Sequence, residues 1–124
     1  MNITREELQD FVNNPTNEIA LGQCVENALK FHQMFKNKGI IIWSGKADYY
    51  ENDIFKGQLD HAWNVMPKVN QKGEIEIQVI DIVNYISNAT SQYCNHIGKE
   101  WKIESVKEFL NIDANFKINP IPEL

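Results

Sequence analysis

The stretch from His61 to Asp81 constrains the fold more tightly than any other part of the chain. "HAWNVMP" and "EIEIQVID" read as two strands, and the intervening "KVNQKG", with Gly73, signals a hairpin turn. Side chains alternate along a strand, so His61, Trp63 and Val65 share one face, as do Ile75, Ile77, Val79 and Asp81. Folding the pair about Gln71 sets Val65 opposite Ile77, Trp63 opposite Val79 and His61 opposite Asp81. Directly opposed residues have Cβ atoms roughly 4.5–5.5 Å apart, within reach of an imidazole–carboxylate hydrogen bond. A slip of one residue would send the two apolar rows to opposite faces, so the pattern resists it.

The elements around this hairpin follow from shorter signals. "TREE", Thr4 to Glu7, fits a capping box that opens a helix to about Asn13, with Leu8, Phe11 and Val12 on its apolar side. "NNPTN" ends it, because Asn14 precedes a proline. "GQCVENALKFHQMFKNKG" predicts an amphipathic helix from near Gln23 to a left-handed cap at Gly39. "IIIWSG" reads as a buried strand bounded by Gly39 and Gly45, and "KADYYENDIFKGQ" as a second short strand or a mobile loop. Helices are expected near Ser87–Ile97 and Ile103–Leu110, before an irregular "NPIPEL" tail. Two helices, a mostly antiparallel sheet and further helices make an α+β fold. At 124 residues it is one domain spanning 1–124.

The chemistry-bearing candidates are Cys24, His61 and Asp81. Cys24 falls in the first turn of its helix, where unpaired N–H groups and the helix dipole stabilise a thiolate. A thiol there attacks a carbonyl, a histidine takes and returns the proton, and a carboxylate fixes the histidine's tautomer. The backbone N–H of Cys24 is placed to hold the developing oxyanion, and Asn17 or Gln23 could add a side-chain donor.

"GQCVENALKF…NKGIIIWSGKA…LDHAWNVM…IQVIDIV" resembles the core of the transglutaminase-like superfamily, within the wider papain-like group. The matching residues are Cys24, Ile40 to Gly45, His61 to Asn64, and Asp81, and the resemblance covers about 22–83. It is also similar to small papain-fold toxin and glutamine-deamidase domains. The resemblance implies N-terminal helices packed on a small antiparallel sheet, with a Cys–His–Asp site acting on an amide of a protein or peptide. The amide is a peptide bond or a glutamine side chain. It departs from animal transglutaminases in its small size and in lacking their flanking sandwich domains.

Composition narrows the alternatives. A net charge of −5 argues against nucleic-acid phosphates or an anionic membrane as the main partner. No apolar run approaches the roughly 20 residues of a membrane span. The polar start "MNITREELQD" is no signal peptide, so the chain is expected in the cytoplasm, or as an effector delivered by another route. Two cysteines, Cys24 and Cys94, are too few for a disulfide scaffold, although one bridge between them stays open. The "NAT" sequon at Asn88 has no meaning outside a secretory context.

His32 shares a stripe with Val25, Ala28, Leu29 and Phe35 and reads as a core histidine. "CNH" at Cys94–His96 is not read as a zinc site, since alternate residues do not share a helix face. Trp43 and Trp63 read as core, and Asp48–Asp53 as solvated surface. No cofactor or metal is expected. The rival functions are a binding or inhibitory module on the same fold without turnover, and a metal-binding domain using either cysteine with histidines.

Overall fold

The computed structural model describes residues 3–13, 24–85 and 90–109. The elements run α1 (Arg5–Asn13), α2 (Cys24–Phe35), β1 (Ile41–Glu51), β2 (Ile54–Val69), β3 (Ile75–Ile80), β4 (Ser91–Glu100) and α3 (Ile103–Phe109). The architecture is α+β: one antiparallel sheet in the order β3-β2-β1-β4, with helices packed on it.

The predicted caps are in place. Thr4 and Glu7 exchange backbone-to-side-chain hydrogen bonds of 3.2 and 3.1 Å, the reciprocal pair of a capping box. After α2 a 3-10 turn, Lys36–Lys38, tightens the chain onto Gly39, whose φ of 81° is a conformation only glycine adopts freely. Lys38 pairs with Glu7 and so ties α1 to the end of α2. His32, expected as a core histidine, is only partly buried but is satisfied: its Nδ1 lies 2.6 Å from the Ile40 carbonyl oxygen, which accepts.

One face of the sheet is covered by helices. Phe11, Phe31 and Phe35 pack with Met66 of β2 and Ile80 of β3, and Phe11 meets Phe31 edge-on at 5.2 Å. Ala28, Leu29, Ile42 and Val106 form a second cluster that seats α2 and α3 on β1. Further along the hairpin, on the opposite face, Ile75 and Val69 are exposed at 73% and 72%.

Three expectations change. The segment after Gly45 is neither a separate short strand nor a loop. β1 continues to Glu51 and turns at Asn52–Asp53, both with positive φ, the two-residue turn that suits the twist of a hairpin. Gly45 therefore lies inside a strand, directly opposite Gly98 of β4, and a Cβ on it would stand 2.0 Å from the Ile97 carbonyl oxygen. A glycine within a strand marks close backbone approach rather than a strand end. Residues 91–97 form β4 rather than a helix. Ser87, Asn88 and the rest of 86–89 lie outside the described residues, as do Asn14 to Asn17 of "NNPTN" and the "NPIPEL" tail.

The hairpin's register also differs, by two residues. Val65 pairs with Val79 and Asn64 with Ile80, because the turn spans Asn70 to Glu74, with Asn70 N–H donating to the Glu74 carbonyl at 2.9 Å. An even slip keeps every side chain on its predicted face.

Candidate active site

β3 ends at Ile80, opposite Asn64, and the next residue, Asp81, heads a 3-10 turn over Ile82–Tyr85. Extending the register puts Asp81 opposite Trp63, two residues along β2 from His61 and on the same face, so the two are diagonal rather than directly opposed. The imidazole spans that offset. His61 Nε2 lies 2.6 Å from Asp81 Oδ2, with both side chains almost wholly buried. An ionised carboxylate only accepts, so His61 donates through Nε2, and Nδ1 is left for another partner.

By elimination that nitrogen is the one left for Cys24, whose thiol interacts with the His61 ring and with the backbone N–H of Ala62, on β2 beyond the end of β3. Asn64 fixes the approach of α2 from the other face of β2. Its Nδ2 donates to the Ala28 carbonyl at 2.9 Å, one helical turn after Cys24. In "HAWN", then, the histidine faces Asp81 and the asparagine fastens the cysteine's helix to the strand. Cys24, Ala28, Trp63, Asn64 and Asp81 line a crevice too narrow to hold a water molecule.

The electrostatics favour an ion pair. Burial pushes the Cys24 thiol up, but hydrogen bonds from His61 and the Ala62 N–H outweigh it, and the thiol ionises below its ordinary value. Burial works against a charged His61 as well. The Asp81 and Cys24 hydrogen bonds reverse this and raise its pKa to about 9. Burial opposes the charge on Asp81, yet donation from His61 and His96 holds it below the usual carboxylate range.

β4 brings two residues that the sequence reading did not assign. Tyr93 stacks face to face on His61, ring centroids 3.8 Å apart and planes 8° from parallel. His96 Nε2 donates to the same Asp81 Oδ2 at 2.9 Å. "CNH" lies on a strand rather than the expected helix, and there His96 reaches Asp81. Both cysteines are free thiols.

His61, Asp81 and His96 have potential ligand atoms within 4.8 Å of one another, a donor set zinc accepts. In the structure both Nε2 atoms are directed at one carboxylate oxygen, Asp81 Oδ2, as hydrogen-bond donors. Asn17 and Gln23, the expected oxyanion donors, lie outside the described residues. No helix among the described residues is long and apolar enough to cross a membrane. Comparison with protein-family models, curated proteins and solved structures finds no match to this chain.

Proposed function

We propose that this chain is a cysteine-dependent acyl-transfer enzyme acting on an amide of a protein or peptide, with Cys24 as nucleophile. One observation carries the reading: a single buried imidazole, His61, donates Nε2–H to Asp81 and interacts with a thiol at a helix start. The resemblance of "GQC", "HAWN" and "QVID" to the transglutaminase-like superfamily supports the same roles and a papain-like core.

The thiolate of Cys24 attacks the amide carbonyl carbon, and the carbonyl electrons move to oxygen. The first-turn N–H groups of α2 face that developing charge. As the tetrahedral species collapses, the C–N bond breaks and His61 Nδ1–H protonates the departing amine. A thioester on Cys24 remains. Neutral His61 then takes a proton from water as its oxygen attacks the thioester, and collapse releases the acid and restores the thiolate–imidazolium pair. Asp81 keeps the proton on Nε2, so that Nδ1 always faces the sulfur. Hydrolysis of a peptide bond or of a glutamine side chain fits this cycle.

Cys24 should react with iodoacetamide at pH 6 far faster than Cys94, which serves as the internal comparison. The measurement is peptide mapping after brief labelling of folded protein. Equal labelling of the two thiols, or labelling of Cys94 alone, defeats the proposal.

A further inference from the structure

β4 carries an irregularity beside the site. Asp48 of β1 faces Cys94, and Lys46 faces Ile97, so Asn95 and His96 together stand against the single residue Ala47. This is a β-bulge, with Asn95 at φ 52° and its Nδ2 donating to Asp48 Oδ2 at 2.8 Å. The extra residue reverses the alternation of side chains along the strand. Tyr93 lies on the His61 side. In an unbroken strand Asn95 would follow it to that side, and His96 would point to the helices. With the bulge, His96 turns to the His61 side, meets Trp63 edge-on at 4.9 Å and donates to Asp81.

Asp81 needs a second hold. It lies just past the end of β3, at the head of the 3-10 turn, where Asn84 N–H donates to its carbonyl at 3.0 Å. A carboxylate held by one imidazole rotates with that imidazole, and the bond to His61 weakens each time His61 gives up its charge. A donor from a different strand keeps the carboxylate in place through both states. Holding a non-glycine residue at positive φ and interrupting a ladder both cost stability. Here the bulge delivers one side chain to one buried oxygen.

We propose that His96 is a positioning residue of the Cys24–His61–Asp81 site, holding the Asp81 carboxylate against His61 Nε2, and that the Asn95 bulge presents it. The inference rests on the enzyme reading for its catalytic meaning, but its test has an arm that does not. Four variants, His96→Phe, His96→Gln, Asn95→Val and Asn95→Gly, are compared by the iodoacetamide rate at Cys24 and by the downfield NMR resonance of the His61 Nε2 proton. Near-UV circular dichroism reports folding.

His96→Phe should slow Cys24 about tenfold, the usual scale for losing a partner that orients a site's ligands, and should broaden or abolish the resonance. His96→Gln retains an N–H donor and should stay within about threefold of the wild-type rate. Asn95→Gly keeps the left-handed backbone and should behave as wild type. Asn95→Val, whose branched side chain resists positive φ, should match His96→Phe. Wild-type rate and resonance in folded His96→Phe overturn the proposal. If that variant does not fold, equal behaviour of the two Asn95 variants overturns it instead. An unreactive Cys24 in the wild-type protein defeats the enzyme reading alone, because the proton resonance still reads whether His96 holds Asp81.

Discussion

His61 is approached from two sides, by α2 and by β4, and the two elements reach it by opposite means. α2 is regular from Cys24 to Phe35, and the proposed function draws on that regularity: a thiol at the helix start, and a carbonyl at Ala28 for Asn64 to fasten. β4 is irregular, and the proposed positioning role draws on the irregularity. Tyr93 and His96 are three residues apart, so regular alternation would put them on opposite faces; the bulge puts them on one. The proposed nucleophile comes from an element whose position follows from its own periodicity. The groups that hold its partners come from one whose periodicity had to be broken.

Asp81 belongs to both sides, so it carries the largest expected effect. Asp81→Asn keeps the size but loses the charge that both histidines address. Amide turnover should fall by up to about 10⁴, as in the serine-triad template, with the fold retained. The same variant should change how stability depends on pH. The raised His61 pKa, about 9, adds stability that is complete below the ordinary histidine value and lost as pH rises through about 9. The lowered Asp81 value adds stability that is present above the ordinary carboxylate range and lost as pH falls through its folded value. Urea midpoints measured against pH should show both limbs in the wild type and weaker ones in Asp81→Asn, where Cys24 alone still supports the His61 charge and Glu7 still contributes an acid limb. Turnover within about tenfold of wild type would mean that the α2 side suffices without the carboxylate.

The α2 side was legible in the sequence and the β4 side was not. The capping box at Thr4–Glu7, the Gly39 cap and the in-phase rows of the hairpin are local, and each was read correctly from residues within a few positions. The hairpin register was off by two because the turn is built by Asn70 and Glu74 rather than centred on Gln71, but parity survived, and parity alone decides which face His61 and Asp81 occupy. β4 offers no such handle. It is mostly exposed, its alternation is broken at Asn95, and its pairing with β1 joins residues some fifty positions apart, as in Asp48 with Cys94. Its close approach to β1 depends on Gly45 facing Gly98, a match between distant positions that neither glycine announces.

That glycine pair gives a second, smaller way to separate the two sides. A Cβ on Gly98 would stand 2.3 Å from the Ser44 carbonyl oxygen and 2.7 Å from the Trp63 ring, so β4 must move away from β1. Gly98→Ala should cost about 3 kcal/mol, the upper end for an overpacked site. It should also slow Cys24 alkylation by displacing His96. Gly39→Ala, at the α2 end, meets no atom within 4 Å and is strained only by its φ of 81°. It should cost about 1–2 kcal/mol and leave the alkylation rate unchanged. Denaturant unfolding and labelling on the same samples decide it. Equal loss of reactivity in the two variants would show that general destabilisation, not the placement of β4, controls the thiol.

The smallest expected effect concerns Tyr93, which tests whether β4 acts on His61 directly as well as through Asp81. The tyrosine ring lies parallel to the imidazole at 3.8 Å, with Tyr49 packed behind it at 5.0 Å. Burial and the nearby Asp81 and Cys24 charges raise the Tyr93 hydroxyl to about 12, so it stays neutral wherever the ion pair exists. Its influence on His61 is therefore that of an aromatic face on a cation, worth about 1 kcal/mol, or roughly a fivefold change in an acid dissociation constant. Tyr93→Phe keeps the face and should leave the NMR titration of His61 where it is. Tyr93→Leu keeps comparable apolar bulk without the face, and His61 should lose its proton at a correspondingly lower pH. The two variants have similar packing, so a difference between them isolates the ring's electrostatics. If both titrate as wild type, Tyr93 is a wall beside the histidine, and the β4 side works through Asp81 alone.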